Sequence, residues 1–227
     1  MARTLNPAAH ALRRDAFLDA AQRLMQTKGY EQMSVQDVLD ALGASKGAFY
    51  HYFDSKEALL QAVVERMVDA AMPVIEPIVA DAGLPAAEKL QAVFATAGQW
   101  KTQRSDLLLA IMRSWYADEN DLVRLRVARA GAARITPLMA RIVRQGTLEG
   151  AFNPTSPDHA AAILVALLNG SSDAIGRLAL DRQDGLVTFE EVERHMAAYE
   201  EAIERILGLQ AGSFVLIDSA SLHVWFD

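Results

Sequence analysis

The chain contains no cysteine in 227 residues, which excludes disulfides and thiolate catalysis. It reads as having no uninterrupted apolar run of the roughly 18 residues that a membrane span needs. The N-terminus, MARTLNPAAHALRRDAF, lacks the apolar stretch of a signal peptide. The expectation is therefore a cytoplasmic protein with no membrane partner. GxGxxG, a Walker loop, GxSxG and HExxH are all missing. The five histidines, at 10, 51, 159, 195 and 223, show no metal-ligand spacing. His195, beside Met196, reads as a solvated helix residue. Glu190-Glu191-Glu193 and Glu200-Glu201-Glu204 read as the wet face of an amphipathic helix. No catalytic residue, metal or cofactor is expected, and the chain is not read as an enzyme. Internal repeats, low-complexity tracts and long linkers are also missing.

What is present is a globular composition, 52% hydrophobic and 22% charged, in a chain long enough for a sizeable core. The net charge of −7 argues against indiscriminate nucleic-acid binding. That charge is uneven. Residues 1–60 hold seven Lys/Arg and seven Asp/Glu, so the rest of the chain carries the whole excess of acid. Before Asp15 there is no acid at all, only Arg3, His10, Arg13 and Arg14. Contact with a polyanion is expected from the N-terminal portion.

Apolar spacing predicts helices throughout, hence an all-α fold. The first carries Phe17, Ala20, Ala21, Leu24 and Met25 on one face and ends at Gly29. Ser34 caps the second, with Asp37 at its third position and a Met33–Val38 staple, and Gly43 ends it. Ser45 caps a third helix, expected to reach about Phe53. Asp54 is expected to cap a fourth, which Pro73 and Pro77 should break or kink. Further helices are expected over roughly 86–103, 105–117, 120–147, 157–181 and 188–207. Ser156-Pro157-Asp158 and the Thr188–Glu191 capping box start the last two.

The stretch ASKGAFYHYFDSKEALL carries the function. At 100° per residue Phe49, Tyr52 and Phe53 fall on one arc and Gly47, Tyr50 and His51 opposite, with Lys46 and Ala48 at the margins. A helical glycine costs about 1 kcal/mol against alanine, and close approach of another backbone is a reason to accept that. Helix, glycine turn, helix is the layout of a helix-turn-helix, whose second helix enters the major groove. Lys46 can reach a guanine edge or a phosphate, and the Tyr50 hydroxyl and His51 suit phosphates. The helix starts at Ser34 and Ser45, and Lys56, offer amides and charge to the backbone. Each residue has a plainer reading too: Tyr52 as core, His51 as an ordinary surface histidine. Only the joint spacing is specific.

Residues 13–60 resemble the DNA-binding domain of the TetR family of bacterial transcriptional regulators. The resemblance rests on Gly29-Tyr30, Ser34-Val35, Gly43-Ala44-Ser45-Lys46-Gly47, Phe49-Tyr50-His51-Tyr52-Phe53 and Ser55-Lys56-Glu57-Ala58-Leu59. It implies phosphate contacts at Tyr50, His51 and Lys56 and approach to the bases by Lys46, Gly47 and Ala48. It further implies an all-α homodimer with a four-helix interface, a ligand pocket in each C-terminal domain, and repression. The expected domains are 1–60 (DNA binding), 61–207 (effector binding and dimerisation) and 208–227 (an apolar extension).

The helices 158–181 and 188–207 offer apolar and small-residue faces for a homodimer reading palindromic double-stranded DNA. Phe94, Trp100, Met112, Trp115, Tyr116 and Met139, with Arg113 and Asn169 as polar groups, are the candidate lining of an effector pocket, though such residues also build ordinary cores. A hydrophobic or aromatic small molecule is the expected effector. SFVLID and SLHVWF in the extension look like short strands, either packing on the body or covering a pocket or swapping onto a partner. The alternative function is a DNA-binding dimer without an effector, controlled by a protein partner.

Overall fold

The computed structural model describes residues 7–226. Its regular structure there is wholly helical: α1 (Pro7–Lys28), α2 (Val35–Leu42), α3 (Lys46–Tyr50), α4 (Lys56–Ala80), α5 (Ala86–Thr102), α6 (Ser105–Trp115), a 3₁₀ turn (Asp118–Asn120), α7 (Asp121–Leu148), α8 (Pro157–Gln183), α9 (Phe189–Leu207) and α10 (Ser219–Phe226). The chain divides into two compact units, Met1–Met67 with Asp106–Val127, and Val68–Ser105 with Ala128–Asp227.

In the first unit, Phe17, Leu18, Met25, Met33, Val38, Leu39, Phe49, Phe53, Leu59, Leu60 and Val63 are buried. Arg66 ties α4 to α1 through Asp19 and Gln22, each at 2.7 Å. In the second unit, Ile75, Val79, Leu90, Val93, Met139, Ile142, Val143, Phe152, Leu164, Ile203, Leu207 and Phe214 form one apolar core. Lys89 is buried there, donating to the Val79 carbonyl (3.3 Å) and to Gln145 (2.7 Å). α8 is by length and composition apolar enough to cross a membrane, although Asn169-Gly170-Ser171-Ser172-Asp173 interrupts its apolar residues. Its Ala161, Leu164 and Val165 are buried in this core.

Several local features differ from the expectation or add to it. α1 starts at Pro7, ten residues before its apolar face begins, with proline at the first helical position. α4 does not stop at Pro73. Asp69, Pro73 and Pro77 lie exposed on one side of it while Met67, Ile75 and Val79 are buried. Carbonyls left without an N–H donor there are open to water, and that limits the penalty for proline. The cap of α4 is Ser55, whose Oγ accepts the Ala58 N–H at 3.1 Å, not Asp54, and α3 ends at Tyr50. The extension forms no strand among the described residues. Phe214 to Ile217 lie outside any helix or strand, with a bend at Leu216-Ile217, and Asp218 starts α10 by accepting from the Ser221 N–H (2.8 Å) and hydroxyl (2.7 Å). β propensity expresses itself only beside another strand. At the start of α8, Ser156 is extended and Pro157 follows, but the Ser156 hydroxyl pairs with the His159 ring (2.7 Å) and caps no backbone N–H.

Candidate nucleic-acid interface

The first unit builds its site from two well-capped short helices. Ser34 Oγ accepts the Asp37 N–H (3.1 Å) and Asp37 Oδ2 accepts the Ser34 N–H (2.7 Å), a complete capping box. Lys28 at the end of α1 donates to Asp37 Oδ1 at 2.8 Å. This bond first, then those from Ser34, holds the Asp37 carboxyl well below the usual carboxylate range. Gly43 ends α2 in the left-handed conformation (φ 57°), which glycine adopts without strain. Two residues later Ser45 Oγ accepts the Ala48 N–H at 3.2 Å and α3 begins.

The inner side of α3 is locked by aromatics. Phe49 and Phe53 meet Phe17 of α1 at ring-centroid distances of 5.8 and 6.1 Å and each other at 5.7 Å. The outer side is open: Ser45, Lys46, Gly47, Tyr50 and His51 are exposed, with Ala48 half-buried. A Cβ built on Gly47 would meet nothing closer than Ser45 Oγ at 4.0 Å. The fold therefore does not require glycine there. Tyr50, at 52% exposed, packs edge-on against Phe49 at a ring-centroid distance of 5.3 Å. Tyr52 is half-buried between His10 (4.6 Å), His51 (5.0 Å) and Phe17 (5.7 Å), which matches its reading as core.

Two features were not read from sequence spacing. His10, in the first turns of α1, packs 5.4 Å from His51 and so brings the acid-free N-terminal stretch beside the end of α3. Its only signal was that local absence of acid; Arg3 of the same stretch lies outside the described residues. Lys56 is also engaged within the unit: its Nζ lies 4.2 Å from the Tyr30 ring centroid and donates to the Glu31 carbonyl at 3.2 Å. The Tyr30 hydroxyl is buried without a hydrogen-bond partner, and burial, reinforced by Glu57 and Glu31, pushes the phenol far above its usual range. Val35 is half-buried at the start of α2.

The candidate effector residues divide between the units. Met112 (buried), Arg113 (exposed), Trp115 and Tyr116 (half-buried) belong to the first, where Arg124 donates to the Trp115 carbonyl at 2.7 Å and lies over the Tyr116 ring. Phe94, Trp100, Met139 and Asn169 belong to the second. There Met139 is 1% exposed in the core, Phe94 packs on that core, and Arg104 covers the Trp100 ring at 4.0 Å. On α9 the seam residues Val192, Met196 and Ile203 are buried in their own unit. Exposed small and apolar positions remain on α8 (Ala162, Ile163, Ala166, Gly170) and α9 (Ala197, Ala198).

Residues 17–63 match the family described as bacterial regulatory proteins, tetR family. The HTH-type transcriptional repressor KstR2 of Rhodococcus jostii (strain RHA1) is 34% identical over 84 residues, 37% of this chain and 41% of that protein. The HTH-type transcriptional regulator EthR of Mycolicibacterium smegmatis (strain ATCC 700084 / mc(2)155) is 41% identical over 59 residues, 26% of this chain and 27% of its own length. The chain thus spans less than half the length of both. A crystal structure of a transcriptional regulator of the TetR/AcrR family from Thermobifida fusca YX-ER1 is 27% identical with a TM-score of 0.55, over 73% of this chain and 84% of that one.

Proposed function

We propose that this chain, whose residues 17–63 match the tetR family of bacterial regulatory proteins, is a cytoplasmic, homodimeric DNA-binding transcriptional regulator of that family: a repressor released from a palindromic operator by a small, mostly hydrophobic effector. The observation that carries the reading is the division of α3. Phe49 and Phe53 anchor it in the core while Lys46, Gly47, Tyr50 and His51 face outward, with an unoccupied Cβ position at Gly47. Lys46 and the flat surface at Gly47 and Ala48 meet base edges in the major groove. Tyr50, His51, the capped starts at Ser34-Val35 and Ser45, and Lys56 hold phosphates. The exposed small residues of α8 and α9 support a homodimer through these helices. Two copies then present α3 about 34–36 Å apart, one turn of DNA.

The effector is assigned to the apolar, aromatic residues Phe94, Trp100 and Met139, with Asn169 as the polar group, all within the second unit. It acts by favouring a state in which α4 has tilted and the reading heads no longer match the groove. One observation favours the second reading, a regulator without a small effector: Phe214 of the extension packs edge-on against Phe94 at 5.0 Å.

The test is fluorescence anisotropy on the DNA flanking the protein's own gene, against a scrambled duplex, at two salt concentrations. Tight binding that prefers the native duplex and survives competitor is expected. Equal, weak and strongly salt-dependent binding to both duplexes overturns the reading for that DNA. An operator-bound probe then serves to screen for compounds that release it.

A further inference from the structure

In the second unit, residues 214–216 run across α5 and α9 as a tripeptide outside any helix or strand, whose every backbone N–H is held by a side chain. The Phe214 N–H donates to Glu204 Oε1 (3.0 Å) and the Leu216 N–H to Glu200 Oε1 (2.7 Å). Between them, Gln91 grips Val215 at both ends of its residue. Its Oε1 accepts the Val215 N–H (3.1 Å) and its Nε2 donates to the Val215 carbonyl (3.0 Å). The side chains alternate as a strand's would: Phe214 and Leu216 are buried, at 3% and 8% exposed, while Val215 is 44% exposed. Phe214 fills an aromatic socket against Phe94 at 5.0 Å, in T-shaped geometry.

These contacts are those of a peptide site, with backbone-directed clamps plus two sockets for alternate side chains. The floor is also unusual for a permanent core. Glu204 is only 5% exposed, and Glu200 sits one turn before it on α9. Buried carboxylates are costly unless hydrogen-bonded, and the strap's N–H groups supply those bonds. An emptied groove leaves both carboxylates to water. The strap is joined to α9 through exposed residues 210–213, including Gly212 at φ 73°. Beyond Asp218, α10 is fastened by the Phe226 carbonyl accepting from Arg182 (3.1 Å) and by His223 stacked on Phe189 at 4.7 Å.

We propose that the groove formed by Gln91, Phe94, Glu200 and Glu204 is a peptide-binding site for an aromatic–any–apolar segment. The chain's own residues 213–218 occupy it as a tethered, exchangeable ligand. The proposal does not depend on whether the protein reads DNA.

The test uses the full chain with a protease recognition sequence inserted between Ala211 and Gly212, in the exposed loop. The chain folds with the strap seated and is then cut. A fluorescein-labelled peptide of the sequence GSFVLIDSASLHVWFD is expected to exchange into the cut protein, read as a rise in anisotropy, while the helical circular dichroism is retained. The peptide carrying Phe214→Ala binds at least about tenfold more weakly, and Val215→Ala binds unchanged, as expected of one filled socket and one outward side chain. Loss of the helical signal on cutting, absence of exchange over a day, or equal binding of the Phe214→Ala peptide overturns the proposal. Native-state hydrogen exchange on the unmodified chain is the second measurement. The Phe214 and Leu216 amides are expected to exchange at least about a hundredfold faster than that of Ile203 in α9, through local opening. Equal protection overturns it equally.

Discussion

The ammonium of Lys56 sits 4.2 Å from the centre of the Tyr30 ring and bonds the Glu31 carbonyl, pinning the start of α4 to the corner between α1 and α2. Lys56 therefore has a structural role beside its proposed contact with phosphate. Lys56→Ala is expected to lower stability by about 0.5–2 kcal/mol, the range from exposed to desolvated cation–π contacts. It should also reduce the salt slope of DNA binding by about one, the signature of a lost phosphate contact. Urea melts and anisotropy at several salt concentrations separate the two effects. An unchanged salt slope would leave Lys56 with the structural role alone.

Gly47 distinguishes a functional glycine from a conformational one. Its Cβ position is open and no positive φ is recorded for it. Gly47→Ala is expected to leave the melting temperature unchanged or raise it, by up to about 0.5 kcal/mol of stability. DNA affinity should fall at least about tenfold, because the added methyl stands on the groove-facing surface. Lys46→Ala should also preserve the fold and weaken binding about 5–150-fold if it holds a base edge.

The Lys28–Asp37–Ser34 arrangement makes the stability of the first unit acid-sensitive. The Asp37 carboxyl titrates below its unfolded value. Its contribution is thus fully present above the ordinary carboxylate range and is lost as pH falls through the lowered folded value. Asp37→Asn should flatten the acid limb of a stability–pH profile and leave the neutral-to-alkaline limb parallel to wild type. An acid limb of undiminished slope would place the sensitivity elsewhere. Ser34→Ala, which removes the cap itself, should cost about 1 kcal/mol at neutral pH.

Gly146, inside α7, packs directly on Phe152: a Cβ there would fall 2.1 Å from Phe152 Cδ2. Phe152 is 2% exposed and part of the core of the second unit. Gly146→Ala is expected to destabilise by about 1–3 kcal/mol despite the better helix propensity of alanine, because a packed ring must move. Adding Phe152→Leu should recover part of the loss. A thermal melt of both variants checks this, and a neutral or stabilising Gly146→Ala would contradict the packing.

Much of the site was legible because its signals are local. Ser34 with Asp37, Gly43, and Ser45 with Ala48 are caps and turns complete within three or four residues. The split of α3 into aromatic and open faces follows from helical spacing alone. What was missed depends on residues far apart in the chain. His10 lies 41 positions from His51, and Lys56 25 positions from Glu31, and no window on either residue reveals the meeting.

The all-helical class, the order of the helices and the capping box at Thr188 were written in the sequence, because periodicity and caps are properties of short windows. Tertiary structure decided the rest. It carried α4 through Pro73 and Pro77 by setting them on the exposed side. It also divided a strand-like tail into a strap and a helix. No neighbouring strand is offered to Phe214–Leu216, whose N–H groups are instead satisfied by Gln91, Glu200 and Glu204. The physical reason is the same in each case: a backbone group must find a partner or water, and which of these it meets is settled by chain segments that no local pattern contains.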